Sequence, residues 1–362
     1  MKILILYTYN KGLLSEFFQE LSERLCSDGY EVVNFYLKHK KDYFVQNGVE
    51  IYGEKRGGFI HNYKAIYHII KKTKPNVVIS NFSYINPAIL FGKLLGVKHN
   101  VAWFHTAYGH TKPSWLKVKN KSVYLNMADL VLANSASLQK EMHTIYRVPK
   151  EKTRRVPFWT HIENYCSNTN PIQVAKSESV INIGCPGRLL ADKNHALVIE
   201  AVHQLKHRQE KPIRLYLAGS GTYRNELETL VKDLKLEQEV IFLGLLNVHE
   251  MAAFYEAMDV VVLPSFHEAF GLVFIEAIAL GTPVLVSKAF GALDFINSQK
   301  FPLEDFSFNP QALPELINKL VPYINRKGLT ADYFRTMYTE TFEKEVIYKQ
   351  IKAVILNQKT DS

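Results

Sequence analysis

Apolar positions along the chain fall into short continuous runs, separated by longer stretches in which they recur every three or four places. Runs of the first kind read as buried strands, and stretches of the second kind as helices with one apolar face. The first half predicts strands over 2–9, 31–36, 76–80, 99–104 and 129–133. Between them it predicts helices over 13–25, 59–72 and 87–95, with Ser135 or Ser137 placed to cap one more. Lys38 to Gly58 reads as a polar stretch carrying basic clusters at 38–41 and 55–56. The pattern restarts after a polar segment, Asn164 to Ser179, that contains Asn168-Thr169-Asn170-Pro171. Strands follow over 180–185, 213–218, 240–243, 259–263 and 283–287, and helices over 194–207, 224–234, 248–258 and 272–280. A tail helix spans about 341–356. Strand–helix alternation with short turns predicts α/β architecture, with two doubly wound parallel sheets in succession.

The 362-residue length agrees with two domains at roughly 150 residues each. The expected division is 1–165, a linker over 166–179, and 180–330, with a C-terminal helix 341–362 packing back on the first domain. Hydrophobic residues make up 47%, enough for two cores, and no run reaches the roughly 18 apolar residues of a membrane span. Cys26, Cys166 and Cys185 show no paired spacing, so a reducing cytoplasm is the simplest compartment. Charge is uneven: residues 1–170 carry net +12 and residues 171–362 net −3. That asymmetry suits an anionic partner for the first half. Lys112 to Lys121 sets Trp115, Leu116 and Val118 among four lysines, which suits an anionic membrane surface; an ordinary solvated basic face fits as well. No nucleic-acid-binding module frames these residues, so no nucleic-acid partner is expected.

The candidate chemistry collects at strand ends in the second half. The 259–263 strand leads into Pro264–Gly271 and then the 272–280 helix, which Gly281 and Pro283 stop. In open α/β sheets ligands bind at such strand ends, and a helix N-terminus there favours an anion. Glu268 sits in the loop and Glu276 in the helix. Alone, the pair fits a cap and a solvated helix residue equally well. Gly187-Arg188 and Lys193 follow another strand, and two cations in that position suit a diphosphate. Gly219-Ser220-Gly221 and Gly244-Leu245 end two more. Arg224 breaks the G-x-G-x-x-G spacing of a nicotinamide site, and Gly219 reads as a tight turn that also permits close approach to a ligand. His105 follows the 99–104 strand, where a structural and a functional histidine are equally expected. No Asp-x-Asp holds a divalent cation, and no metal is expected.

The run Pro264-Ser265-Phe266-His267-Glu268-Ala269-Phe270-Gly271-Leu272-Val273-Phe274-Ile275-Glu276-Ala277, with Gly187-Arg188 and Lys193, resembles the retaining glycosyltransferases of family 4. That resemblance implies the GT-B fold, two Rossmann-like parallel-sheet domains facing across a cleft. It implies retaining, metal-independent transfer of a hexose from a nucleoside diphosphate sugar, with a UDP-sugar favoured and no cofactor. The implied acceptor is a glycan or a polyprenyl-diphosphate-linked glycan. The implied setting is bacterial cell-surface polysaccharide biosynthesis, in the cytoplasm or peripherally on the inner face of the membrane. By the same resemblance Arg188 and Lys193 hold the diphosphate, Glu276 the ribose hydroxyls and Glu268 the donor sugar. Phe270, Gly271 and Leu272 give backbone contacts, Gly12, Gly219 and Leu245 line the donor site, and His105 touches the transferred sugar. His105, Arg188, Lys193 and Glu268 form the implied catalytic set. The first domain departs from the family, with Gly12 alone where a Gly-Gly pair is common. The other readings are a different GT-B nucleotide-sugar enzyme, such as an epimerase, or a non-catalytic partner subunit.

Overall fold

The structure, a computed structural model, describes residues 1–10, 12–38, 40–105, 113–166, 172, 174, 176–208 and 211–356. Residues 167–171 of the expected linker, the tail 357–362, and His39 and Lys112 of the basic clusters lie outside them. The chain divides into two compact units, Met1–Phe158 with Lys344–Ser362, and Trp159–Glu343.

Unit 1 is built on β1 (Lys2–Leu6), β2 (Glu31–Lys38), β3 (Asp42–Gln46), β4 (Val49–Lys55), β5 (Val77–Asn81), β6 (His99–Phe104), β7 (Leu130–Ala133) and β8 (Thr153–Arg155). Their order is β3-β4-β2-β1-β5-β6-β7-β8, and all neighbours pair in parallel except β3 with β4. The β3–β4 hairpin corrects the polar reading of 38–58. Asn47 and Gly48, with φ of 49° and 80°, make its tight turn. Asn-Gly between alternating runs is a strong hairpin signal, and the flanking charges hid it. The segment after Ser114 is a helix, Trp115–Met127, with Trp115 and Leu116 exposed. Ser135 caps the helix Ala136–Thr144 by accepting from the Leu138 N–H.

Unit 2 carries β9 (Ile181–Pro186), β10 (Ile213–Ala218), β11 (Val240–Gly244), β12 (Val260–Leu263), β13 (Val284–Ser287) and β14 (Ser307–Phe308), in the order β11-β10-β9-β12-β13-β14. All five pairings are parallel. Strand order reverses between β9 and β12, so the loops after these two strands flank the crevice where open α/β sheets take ligands. Its core joins Ile183, Val198, Leu215, Val262 and Leu285 to Leu316 and Leu320 of the helix Leu313–Ile324.

The unit boundary lies at Phe158–Trp159, ahead of the polar segment. Trp159, Thr160, His161 and Ile162 are already buried, and the short helix Ile162–Tyr165 packs on the helices Val248–Ala257 and Leu272–Ala279. The expected tail helix starts a little later, as Lys344–Ile355 in unit 1, and a further helix, Ala331–Phe342 in unit 2, ends before it at the extended Glu343. Ile347, Ile351 and Ile355, spaced by four, are the buried stripe of the tail helix, and Lys352 pairs with Asp28 at 2.6 Å. Among the described residues no helix is long and apolar enough to cross a membrane.

Candidate functional site

Two loops meet at the β9/β12 crevice. After β9, Gly187 turns with φ 146° and its N–H bonds back to the Ala218 carbonyl. After β12, Pro264–Gly271 crosses to the helix Leu272–Ala279. The Phe266 N–H donates to the Asp192 carbonyl, and Asn194, in a left-handed conformation, donates its amide to the Pro264 and Pro310 carbonyls. The helix His195–Leu205 starts from that residue. These bonds bring two of the sequence-predicted residues together. Lys193 Nζ donates to Glu268 Oε2 at 2.6 Å, with the lysine side chain 11% exposed and the glutamate 21%. Arg188 is exposed and forms no ion pair among the described residues, so the crevice presents one paired and one open cation.

The helix start is shaped by Gly271. Its φ is 101°, and a Cβ there would lie 2.2 Å from the Phe290 ring. Phe290 belongs to the next loop, where the Gly291 N–H bonds to the Glu268 carbonyl and the Ala292 N–H to the Phe270 carbonyl. Phe270 is buried and Leu272 half-buried, and no side chain among the described residues caps this helix, so the N–H groups of Leu272 and Val273 are left for a ligand or for water.

Glu276 is buried one turn further on and is not the solvated residue that its charge alone suggests. Tyr255 Oη donates to its Oε2 at 2.7 Å, and Oε1 has no hydrogen-bond partner among the described residues. Burial pushes the carboxyl up to about 7, against the pull of the Tyr255 hydrogen bond and of nearby His161. Tyr255 and His161 were not anticipated, since both lie far from Glu276 in sequence with no spacing that ties them to it.

The glycine turns pack closely on their neighbours. Gly219 has φ 151°, and a Cβ on it would fall 1.9 Å from the Gly187 carbonyl oxygen; at Gly221 the Leu189 oxygen is 2.1 Å away. The Gly219 N–H also bonds to the Gly244 carbonyl. These residues pack loop on loop, which fixes the Arg188 segment from below. Leu245 is 76% exposed.

In unit 1, His105 lies between two amides. Its Nδ1 lies 2.9 Å from Asn134 Oδ1 and its Nε2 2.7 Å from Asn81 Oδ1. Both amides are oriented by other bonds, Asn134 to the Val156 carbonyl and Asn81 to the Leu6 carbonyl. Burial lowers the His105 pKa to about 3, opposed by Asn134. A neutral imidazole carries one N–H for these two amide oxygens, so one contact is a hydrogen bond and the other a close approach without one. Gly12 is exposed, in extended conformation at the start of the helix Leu13–Ser27, with its N–H on Asn10 Oδ1. No three His, Cys, Asp or Glu side chains gather as a metal-binding set among the described residues.

Comparison with known proteins gives the family. The family model for glycosyl transferases group 1 matches residues 168–322, and that for glycosyltransferase family 4 matches residues 14–162. A glycosyltransferase of Methanocaldococcus jannaschii, itself uncharacterized, is 32% identical over 192 residues, 51% of this chain and 48% of that protein. A D-inositol 3-phosphate glycosyltransferase of Corynebacterium urealyticum is 27% identical over 261 residues, 65% of this chain and 61% of its own length. The chain therefore spans about half to three-fifths of these curated relatives. The Anabaena protein HepE, solved in complex with UDP and glucose, superposes with a TM-score of 0.76 at 20% identity, covering 99% of this chain and all of that one. That likeness establishes the GT-B fold. With the two family models lying end to end along it, the chain belongs to the group 1, family 4 glycosyltransferases of GT-B fold.

Proposed function

We propose that the chain transfers a hexosyl group from a nucleoside diphosphate sugar to a glycan or lipid-linked glycan, with retention and without a metal ion. One observation carries this reading: the Lys193–Glu268 pair, 2.6 Å apart, beside the open Arg188 at the sheet's switch point. A diphosphate entering there gains two cations and the uncapped start of the Leu272 helix. The open oxygen of Glu276 suits a ribose hydroxyl, which donates to it. Glu268, paired with Lys193, suits a binding role toward the sugar.

The chemistry follows from that set. The acceptor hydroxyl oxygen bonds to the anomeric carbon while the bond from that carbon to the diphosphate oxygen breaks. The hydroxyl proton passes to the departing diphosphate, so no protein nucleophile is required, and the sugar is delivered to the face that the leaving group occupied. Arg188, Lys193 and the helix start stabilise the charge that grows on the leaving group. Glu268 and Glu276 are then binding residues, unlike the acid and nucleophile carboxylates of a retaining hydrolase. UDP is the favoured nucleotide, in keeping with the ligand named for the HepE structure. A peripheral position at an anionic membrane surface and a part in cell-surface polysaccharide synthesis accord with the basic first half of the chain.

The reading is tested by nucleotide release from a panel of UDP-, GDP- and ADP-hexoses, with and without polyprenyl-diphosphate sugar acceptors. Acceptor-dependent release from one donor is expected. An altered sugar with no released nucleotide would instead mark an epimerase, and inertness toward every donor would leave a non-catalytic partner.

A further inference from the structure

Glu276 is held by groups on other elements of unit 2. Tyr255 lies on the helix Val248–Ala257, is fully buried, and donates to Oε2 at 2.7 Å. Burial, and then the charge of Glu276, raises the Tyr255 pKa well above its ordinary value, so the phenol keeps its proton and acts as a donor. Thr282, just past the helix that carries Glu276, seats the tyrosine. Its hydroxyl donates to the Tyr255 carbonyl at 2.9 Å, and its N–H donates to the Ala277 carbonyl, also at 2.9 Å. These bonds fix the two helices in the register that brings phenol and carboxylate together. His161, buried just ahead of the short helix Ile162–Tyr165, is the other side chain that favours the ionised carboxylate. Of the groups on the remaining elements packed there, Arg335 donates to the Leu280 carbonyl, Tyr338 donates to the Thr160 carbonyl and Glu340 pairs with Lys300. None of these, nor Asp294, shifts the Glu276 carboxyl.

The other oxygen, Oε1, has no hydrogen-bond partner among the described residues and is not sealed from solvent. A buried carboxylate with one oxygen bonded and one left open is an incomplete polar network, which costs free energy until a donor completes it. The last torsion of a glutamate is soft, so fixing one oxygen fixes the direction of the other. We propose that Tyr255, seated by Thr282, is the positioning residue of the ribose site: it holds Oε2 of an ionised Glu276 so that Oε1 accepts from ribose hydroxyls, and nucleotides without those hydroxyls are bound more weakly. This inference rests on the nucleoside-diphosphate-sugar reading and adds to it a residue that sets the preference for ribose over its deoxy forms.

The test titrates UDP and 2′,3′-dideoxy-UDP into the full chain between pH 6 and pH 8. The diphosphate is common to both, so its own titration cancels in the ratio of affinities. Wild type should prefer UDP, and the preference should grow about tenfold across this range as Glu276 ionises through about pH 7. Tyr255→Phe removes a bond that favours the ionised form, so the same growth should come about one pH unit higher or more, with the preference at pH 7 reduced several-fold. Thr282→Val should move the profile in the same direction by less, and serves if Tyr255→Phe does not fold. A tyrosine that only supports the fold would lower both affinities together. An unchanged ratio and pH profile in the two variants, or a wild type that binds both nucleotides equally at pH 8, therefore overturns the proposal. A wild type that binds none of UDP, GDP and ADP removes the donor reading instead. The Glu276 carboxyl is then followed by carbon NMR in the free protein: a titration moved to higher pH in Tyr255→Phe upholds the hold of Tyr255 on the carboxylate, and an unmoved one overturns it.

Discussion

Glu276 shows how much of a residue's role depends on surroundings that its sequence neighbours do not reveal. The spacing from Glu268 marked it as a candidate, but the Tyr255 hydroxyl on one oxygen and the burial that raises its pKa to about 7 come from elements packed around it. The raised value has a sign that can be checked. Folded protein holds this proton more tightly than unfolded chain, where the carboxyl titrates near 4.5. Its stabilising contribution is therefore complete below about pH 4.5 and is lost as pH rises through about 7. Glu276→Gln should remove that loss, and by pH 8 the variant should be more stable than wild type by roughly 3 kcal/mol. Urea unfolding at pH 5 and pH 8 measures the difference; parallel pH profiles for both proteins would refute the burial argument. Nucleotide affinity should move the other way, since ribose hydroxyls donate to the ionised form. UDP binding to wild type, relative to Glu276→Gln, should strengthen as pH rises from 6 to 8. Arg188 and Lys193 were equally legible in sequence, but the Lys193–Glu268 contact was not, because the two residues belong to loops 75 positions apart.

At the scale of elements, the buried strands were the easiest to read. Continuous apolar runs such as Val260–Leu263 and Leu130–Ala133 can hardly be anything else in a parallel sheet. The β3–β4 hairpin was missed because it lies at the sheet edge, where one side of each strand is exposed and composition looks like that of a loop. The glycine loops mark the opposite case, visible in sequence but with their role assigned by geometry. Gly219 read as a tight turn open to a ligand, and the structure adds that the Gly187 carbonyl occupies the place of its missing Cβ. Gly219→Ala should therefore cost stability, about 2 kcal/mol or more, from the clash together with the strained φ. Denaturant unfolding gives the value, and a wild-type midpoint would show that the loops are not held by this contact. Nucleotide affinity should fall in the same variant, because the displaced carbonyl belongs to the residue before Arg188.

For the whole molecule, two successive α/β halves and a returning C-terminal helix were foreseeable from the restart of the strand–helix pattern. The position of the crossover was not. The polar segment after Asn164 looks like a linker, but Trp159 to Ile162 are buried in unit 2, and tertiary packing sets the boundary there. The division of charge, net +12 in residues 1–170, is a property at this scale. If it serves an anionic surface, the chain should bind vesicles containing phosphatidylglycerol and release them as salt is raised. Replacing Lys71, Lys72 and Lys74, the basic C-terminal end of the helix Phe59–Thr73, by Glu should weaken that binding without altering UDP affinity. Vesicle binding equal to that on neutral lipid would make these lysines an ordinary solvated face.

The central claim is that the loops after β9 and β12 form the grip on a nucleoside diphosphate sugar. A calorimetric titration of UDP into wild type, Arg188→Ala and Glu276→Ala tests it most directly. Saturable binding to wild type, weakened about tenfold or more in each variant with the thermal midpoint unchanged in Arg188→Ala, is the predicted result. Absence of binding to UDP, GDP and ADP alike, or affinities that neither substitution alters, would contradict it.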